Sequence, residues 1–202
     1  MTYPSAKRII DFTLALGGLT ILSPMLIVVA LFIKLDTAGP VLYQGNRVGL
    51  HGKPFKMMKF RTMVVGADKL GGSSTPNDDP RITRVGKFLR RYKLDELPQL
   101  LNVLRGEMSF VGPRPQVQWA VDLYTEEERR VLTVRPGLTD YASLKFADEG
   151  EILKGSTNPD KDYMEKIHPE KMRLGLEYIE KQSLWTDLHI ILQTIRTLIA
   201  EL

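Results

Sequence analysis

The chain contains no cysteine, which excludes disulfides, thiol nucleophiles and cysteine-based metal sites but fixes no compartment. Histidine is nearly as scarce: His51, His168 and His189 are scattered and show no metal-ligand spacing. Neither a Walker loop nor a dinucleotide fingerprint occurs, and Gly71 to Pro80, a Gly-Gly-Ser-Ser-Thr-Pro-Asn-Asp-Asp-Pro run, reads as a surface loop. Net charge is small as well. The 28 Lys+Arg against 24 Asp+Glu leave only +4, so local clustering of cations says more than the total. With 202 residues and 43% hydrophobic content there is material for a core, as one domain or one domain plus appendages.

Charge is missing altogether from Phe12 to Ile33, between Asp11 and Lys34, a stretch long enough to cross a bilayer as a helix. A cleavable signal peptide fits poorly, because its apolar region is normally roughly 7–15 residues and no small-residue cleavage site follows. Ser23 and Pro24 interrupt the middle of the segment. The proline removes a backbone donor and its ring opens the preceding turn, so a bend is expected there. Lys7 and Arg8 precede the segment, and Lys34, Lys53, Lys56, Lys59 and Arg61 follow it. Two basic flanks on opposite sides of a membrane conflict with the positive-inside rule. A re-entrant hairpin bent at Ser23 and Pro24, with both ends cytoplasmic, reconciles kink and charge; a kinked spanning helix is the alternative.

The cations concentrate at Arg81, Arg84, Lys87, Arg90, Arg91 and Lys93, interleaved with Ile82, Val85, Phe88, Leu89 and Tyr92 at helical spacing. Behind this basic amphipathic helix stands Leu94-Asp95-Glu96-Leu97-Pro98-Gln99-Leu100-Leu101. Pro98 suits a first helical turn and Leu97, Leu100, Leu101 and Leu104 form its apolar stripe, so Asp95 and Glu96 fall at a helix start, where backbone N–H groups favour anions. The plain alternative is an N-cap acid beside a solvated basic face.

Elsewhere, Val41 to Gln44 and Phe55 to Met63 read as a small β-hairpin from which Lys56, Lys59 and Arg61 project, or whose edges they simply protect. Arg114 lies between Pro113 and Pro115, and Arg135 beside the Pro136-Gly137 turn. A rigidly held guanidinium fork matches phosphate oxygens, though either arginine could equally pair with a structural carboxylate. Helices are expected over Gln116 to Arg130, Glu170 to Gln182 and Leu184 to Leu202; the last is amphipathic, and Trp185 tilts it towards a membrane interface. The fold expected is α+β and mainly helical, with a re-entrant membrane anchor over 1–36 and a catalytic domain with amphipathic interfacial helices over 37–202.

Ser23-Pro24, Lys59-Phe60-Arg61-Thr62-Met63, Asp95 to Leu100, Asn102 to Gly106, Met108-Ser109-Phe110, Gly112 to Pro115 and Val134 to Thr139, in this order, carry a resemblance. The chain resembles the small bacterial sugar transferases, monotopic polyprenol-phosphate phosphoglycosyl transferases, from about Lys7 to its C-terminus. The resemblance implies transfer of a phosphosugar from a nucleotide diphosphate sugar, a UDP-sugar, to polyprenol (undecaprenyl) phosphate, opening glycan assembly. It assigns Asp95 as nucleophile in a covalent phosphosugar enzyme, Glu96 to magnesium, and Lys59, Arg61, Arg114 and Arg135 to substrate. It also implies the re-entrant anchor, membrane lipids and downstream glycosyltransferases as partners, and the cytoplasmic face of the bacterial inner membrane as location. The chain departs from the common pattern at Asp140 to Gly150, where many members read Gly-Trp-Ala-Gln, so no particular sugar is implied. A competing class is a non-catalytic module that binds anionic lipid through the 81–93 cations; it explains the charges but not the dyad. Nucleic acid is disfavoured because no recognised binding motif accompanies the basic helix.

Overall fold

The computed structural model describes residues 2–200. Its longest element, α1 (Tyr3–Asp36), begins with a proline in the first turn and continues through Pro24 as one helix. The proline deletes the N–H that would bond the Thr20 carbonyl, and the Ser23 hydroxyl donates to that carbonyl instead, at 2.8 Å. That replacement satisfies the freed carbonyl at the point where the sequence predicts a bend. At 34 residues α1 is roughly 50 Å long. It is apolar and long enough to cross a membrane, with 11% of its most apolar window buried against the chain. Ile21, 79% exposed, is the barest of its large apolar side chains.

The rest of the protein nevertheless grips α1 along its length. Near its start Lys7 Nζ meets Asp187 Oδ2 at 2.7 Å, Arg8 donates to the Val103 and Leu104 carbonyls at 2.6 and 2.8 Å, and buried Asp11 accepts the Phe110 N–H at 3.1 Å. Midway, Ala15 is sealed against Leu100, Val103 and Met108. Near its end Val29 and Ile33 pack on Phe60 and Leu89, and Asp36 accepts the Val85 N–H at 3.1 Å.

An antiparallel hairpin follows, β1 (Leu42–Val48) with β2 (Pro54–Phe60). Its register sets Tyr43 opposite Lys59, Gly45 opposite Met57 and Arg47 opposite Phe55. Directly opposed residues share a face, so Tyr43, Gly45, Arg47 and Lys59 lie on one side of the sheet. The basic helix α2 (Arg84–Arg91) is capped by Thr83, whose Oγ1 accepts the Gly86 N–H at 2.9 Å. Gly86 lies so tightly on the segment just after β2 that a Cβ there would sit 2.0 Å from the Thr62 carbonyl oxygen. A 3₁₀ turn, Leu94–Gln99, leads into α3 (Leu100–Arg105).

A second, parallel pair, β3 (Ser109–Val111) with β4 (Gly137–Thr139), was not foreseen from the sequence. Between these strands the expected helix over 116–130 splits into α4 (Gln118–Asp122) and a 3₁₀ stretch, Glu128–Thr133. The cause is a reciprocal cap: Thr125 N–H donates to Glu128 Oε2 at 2.8 Å and Glu128 N–H to Thr125 Oγ1 at 3.2 Å. Short helices α5 (Tyr141–Lys145), α6 (Glu149–Ile152) and α7 (Pro159–Lys166) precede α8 (His168–Lys181) and α9 (Leu184–Ala200). Helix α9 buries Asp187 and Ile190 and leaves Trp185, 77% exposed, with Leu188, Leu192 and Ile195 on its open face. Leu202, part of that sequence pattern, lies outside the described residues. The molecule is thus mainly helical with small sheets, and α1 is one unbroken helix at Ser23 and Pro24.

Candidate active site

The site begins with a backbone reversal. Lys93 has φ of 54°, a left-handed conformation uncommon for a residue with a side chain. It ends the register of α2 and starts the 3₁₀ turn, so Asp95 and Glu96 emerge beside β2 rather than continuing the basic stripe. The Lys93 ammonium in turn donates to the Ala147 carbonyl at 2.6 Å, tying the 140–150 segment to the turn that carries the dyad.

The two carboxylates live in opposite environments. Glu96 is pinned: Oε1 accepts from Lys59 Nζ at 2.8 Å and from Arg114 Nη2 at 2.5 Å, while Oε2 accepts from Arg114 Nη1 at 2.9 Å. Arg114 also donates to the Leu138 carbonyl at 2.9 Å, which orients the fork. Asp95 is 6% exposed and accepts no hydrogen bond from the described residues. Burial pushes the Asp95 carboxyl up, with Lys59 opposing and the charge of Glu96 adding to the rise. Burial acts on Glu96 in the same sense, but Arg114 and Lys59 outweigh it and hold that carboxyl well below the usual range. One member of the dyad is neutralised by cations, and its neighbour is left bare.

A cavity of about 1620 Å³ opens over the dyad. Lys59, Asp95 and Arg114 line its polar part, and Leu14 of α1 with Ile191 and Ile195 of α9 line an apolar wall. The structure therefore gathers Lys59, Asp95, Glu96 and Arg114. Arg61 also borders the cavity, but its fork is spent on the Ala38 and Thr37 carbonyls just past α1, at 2.5 and 2.7 Å. Arg135 lies elsewhere, with Nε donating to the Gly106 carbonyl at 2.9 Å. Ser23 and Pro24 lie within α1 and are not among the residues that line the cavity. Two further residues line the cavity without a motif of their own in the sequence: Arg47, in a stretch that reads as turn-rich, and Lys93, which reads as one more cation of the α2 stripe.

Among the described residues no cluster of three carboxylate, histidine or cysteine side chains is placed to cage a metal. Magnesium does not need one, since it is commonly held by one or two carboxylates together with substrate phosphates and water. Asp95 with no donors and Glu96 Oε2 with a single one leave lone pairs for that mode.

The family pattern of bacterial sugar transferases matches residues 2–201. The chain is 39% identical to the UDP-glucose:undecaprenyl-phosphate glucose-1-phosphate transferase of Caulobacter vibrioides, over 96% of this chain and 69% of that protein. It is 40% identical to the protein of the same name from Escherichia coli, over 94% of this chain and 39% of the relative. Identity is 35% to a UDP-N-acetylgalactosamine-undecaprenyl-phosphate N-acetylgalactosaminephosphotransferase of Aeromonas hydrophila, over 98% of this chain and 44% of the relative. The chain thus spans less than half the length of the latter two. Relatives named for different sugars match it to a similar degree, while the pattern that covers the dyad, the Arg114 turn and both flanking helices runs through all of α1 to α9; the chain belongs to the bacterial sugar transferase family.

Proposed function

We propose that this protein is a membrane-bound phosphoglycosyl transferase that moves a sugar phosphate from a UDP-sugar to undecaprenyl phosphate, through a covalent Asp95 intermediate, to begin assembly of a glycan. The observation that carries this reading is the bare, buried Asp95 carboxylate beside a Glu96 clamped by Lys59 and Arg114. A nucleophile must have its lone pairs free, and Asp95 has them. In the first half reaction an Asp95 oxygen attacks the sugar-bearing phosphorus. The bond to the bridging oxygen breaks, and its electron pair leaves on the nucleoside monophosphate. In the second, a phosphate oxygen of the acceptor attacks the same phosphorus and expels the Asp95 carboxylate. Lys59 and Arg114 offset phosphate charge in both steps. Glu96, with the donor diphosphate, would hold Mg2+. When bound, that ion lowers the repulsion between carboxylate and diphosphate. The apolar wall from α1 and α9 suits a prenyl chain, and the polar half suits the sugar nucleotide.

Purified protein in lipid nanodiscs, given Mg2+, radiolabelled UDP-sugars and undecaprenyl phosphate, is expected to yield a lipid-linked sugar diphosphate and UMP. Excess chelator is expected to stop turnover without unfolding the protein. Full activity in chelator would remove the metal from the mechanism. Absence of both transfer and UMP release across a panel of UDP-sugars would leave a lipid-binding module as the better reading.

The same reading places residues 1–36 in the inner membrane and 37–202 on its cytoplasmic face. Contacts at both ends of α1 with one and the same body favour both ends lying on one side, as in a re-entrant segment. Cysteines introduced at Tyr3 and Lys53 are expected to react equally with a membrane-impermeant thiol reagent, and only after the cytoplasmic side is opened. Labelling of the Tyr3 site alone in intact cells would show that the segment spans.

A further inference from the structure

Arg47 is the cavity cation that the chemistry above leaves without work. Its guanidinium has five donors, and the one bond it makes among the described residues is from Nη1 to the neighbouring Asn46 carbonyl, at 2.8 Å. The other half-buried cations around the cavity are engaged. Lys59 and Arg114 hold Glu96, Arg61 holds backbone carbonyls, Arg81 holds Asp79, Lys93 holds Ala147, and Lys171 holds Glu149. Arg90 donates to the Thr75 carbonyl and feels the charge of Asp95. Arg47 has no carboxylate partner among the described residues. A second cation, Arg114, lies near it; burial, with the Tyr43 and Tyr163 phenols opposing and the Arg114 charge adding, pushes the guanidinium down from its ordinary value. A half-buried cation facing a second cation across a cavity is a place prepared for an anion.

Geometry says which part of the cavity this is. The hairpin register puts Arg47 on the sheet face that carries Lys59, four residues along β1 from Tyr43, roughly 13 Å at ordinary strand rise. The side chain shortens that gap by folding back over Gly45. A Cβ at Gly45 would lie 3.2 Å from Arg47 Nη1 and 3.1 Å from Tyr43 Cε1, so the bare glycine is what lets the fork and the phenol ring lean together towards the dyad. The next residue of β1, Val48, packs with Val121, Tyr124, Val131 and Met172, a cluster with no member from α1 or α9. Arg47 itself points to the opposite face of the strand, where it feels Arg114 of the loop after β3 and the phenol of Tyr163 in α7, elements that are not part of the apolar wall.

We infer that Arg47 binds the phosphate of the leaving nucleoside monophosphate, with Tyr43 beside it. The inference rests on the phosphoglycosyl transfer reading and names the half of the donor that this corner takes. The polyprenol acceptor enters along α1 and α9, so its phosphate reaches the dyad from the other side. As the bridging P–O bond breaks, the nucleoside phosphate gains a negative charge, and a preplaced guanidinium that shares it with Arg114 favours that state over the intact donor.

The test uses full-length protein in nanodiscs, UMP as the probe, and the two half reactions measured apart. In Arg47→Gln the inhibition constant for UMP is expected to rise, and UMP release from the donor to slow, by about tenfold to a hundredfold, the range for losing a charge-assisted hydrogen bond. Discharge of the preformed phosphosugar enzyme to undecaprenyl phosphate is expected to keep its wild-type rate. Arg47→Lys is expected to recover part of the UMP affinity, since a point charge replaces the fork imperfectly. Wild-type UMP inhibition in Arg47→Gln would overturn the assignment, and so would a defect confined to discharge, which would give Arg47 to the acceptor phosphate. Unfolding of both variants would make the residue structural and overturn it too. If the wild type itself releases no UMP, the transferase reading fails first and this inference falls with it; if it does, a failure at Arg47 leaves that reading intact.

Discussion

Asp95→Asn is expected to form no phosphosugar adduct and to lose turnover by at least about a thousandfold, the scale on which removal of an enzymatic nucleophile acts. A neutral amide has no lone pair basic enough to attack phosphorus, and the other carboxylate of the dyad, Glu96, is held by Lys59 and Arg114. The same substitution is expected to raise thermal stability at neutral pH. Burial raises the folded-state pKa of Asp95, so the folded protein keeps that proton at pH values where the unfolded chain has lost it. Stability therefore falls as pH climbs from the ordinary carboxylate range through the raised folded value, and at neutral pH the charged Asp95 is a cost to the fold. Asparagine removes that cost. Unfolding followed in nanodiscs, together with mass mapping of the modified peptide, checks both halves. An adduct on another residue, or wild-type turnover in Asp95→Asn, would overturn the proposed mechanism.

Arg114→Lys is expected to hurt both activity and stability, for a reason that reverses the sign seen at Asp95. Arginine reaches both oxygens of Glu96 and the Leu138 carbonyl together, and an ammonium cannot. Turnover is expected to drop by about ten to a hundredfold through lost phosphate contacts. The wider truncation Arg114→Met, which leaves Glu96 with Lys59 alone, is expected to cost about 3 kcal/mol, the low end for breaking a buried pair because both side chains are about a fifth exposed. Glu96 titrates below its ordinary value in the fold, so its contribution is fully present above the unfolded pKa and is lost as pH falls through the folded one. Weakening the clamp raises that folded value, and the acid limb of unfolding should move to higher pH in both variants. Identical acid unfolding in wild type and Arg114→Met would show that the clamp does not set it.

The parts of this molecule legible in the sequence are those where one local rule decides. Alternation and turn residues place the β1–β2 hairpin, helical spacing places α2, α8 and α9, and length alone marks α1. The pair β3–β4 escapes because three residues carry no period, and its partners meet only after an excursion of more than twenty residues. The helix expected over 116–130 fails at Thr125, whose cap with Glu128 competes locally with helix continuation. At the site, residue type was legible and partner was not. Arg61 and Arg135 have the composition of phosphate ligands; the tertiary fold sets the Arg61 fork on two backbone carbonyls past α1 and the Arg135 Nε on the Gly106 carbonyl, outside the cavity lining. Arg47 was hidden for the converse reason: its neighbours look like a turn, and only the hairpin register turns it towards Lys59.

The grip on α1 at both of its ends has a consequence for how the protein is made. Residues of α1 leave the ribosome before the elements that close on them, and Ala15 must be in place for Leu100, Val103 and Met108 to seal the floor beneath the dyad. A chain shortened to begin after Asp36 would open that floor to water and strip Val85 and Phe110 of the carboxylates that receive their N–H groups. Under the proposed topology α1 reaches its final position only in lipid, so the catalytic body matures only where its acceptor already is. Under that topology the order of assembly ties completion of this floor to the bilayer.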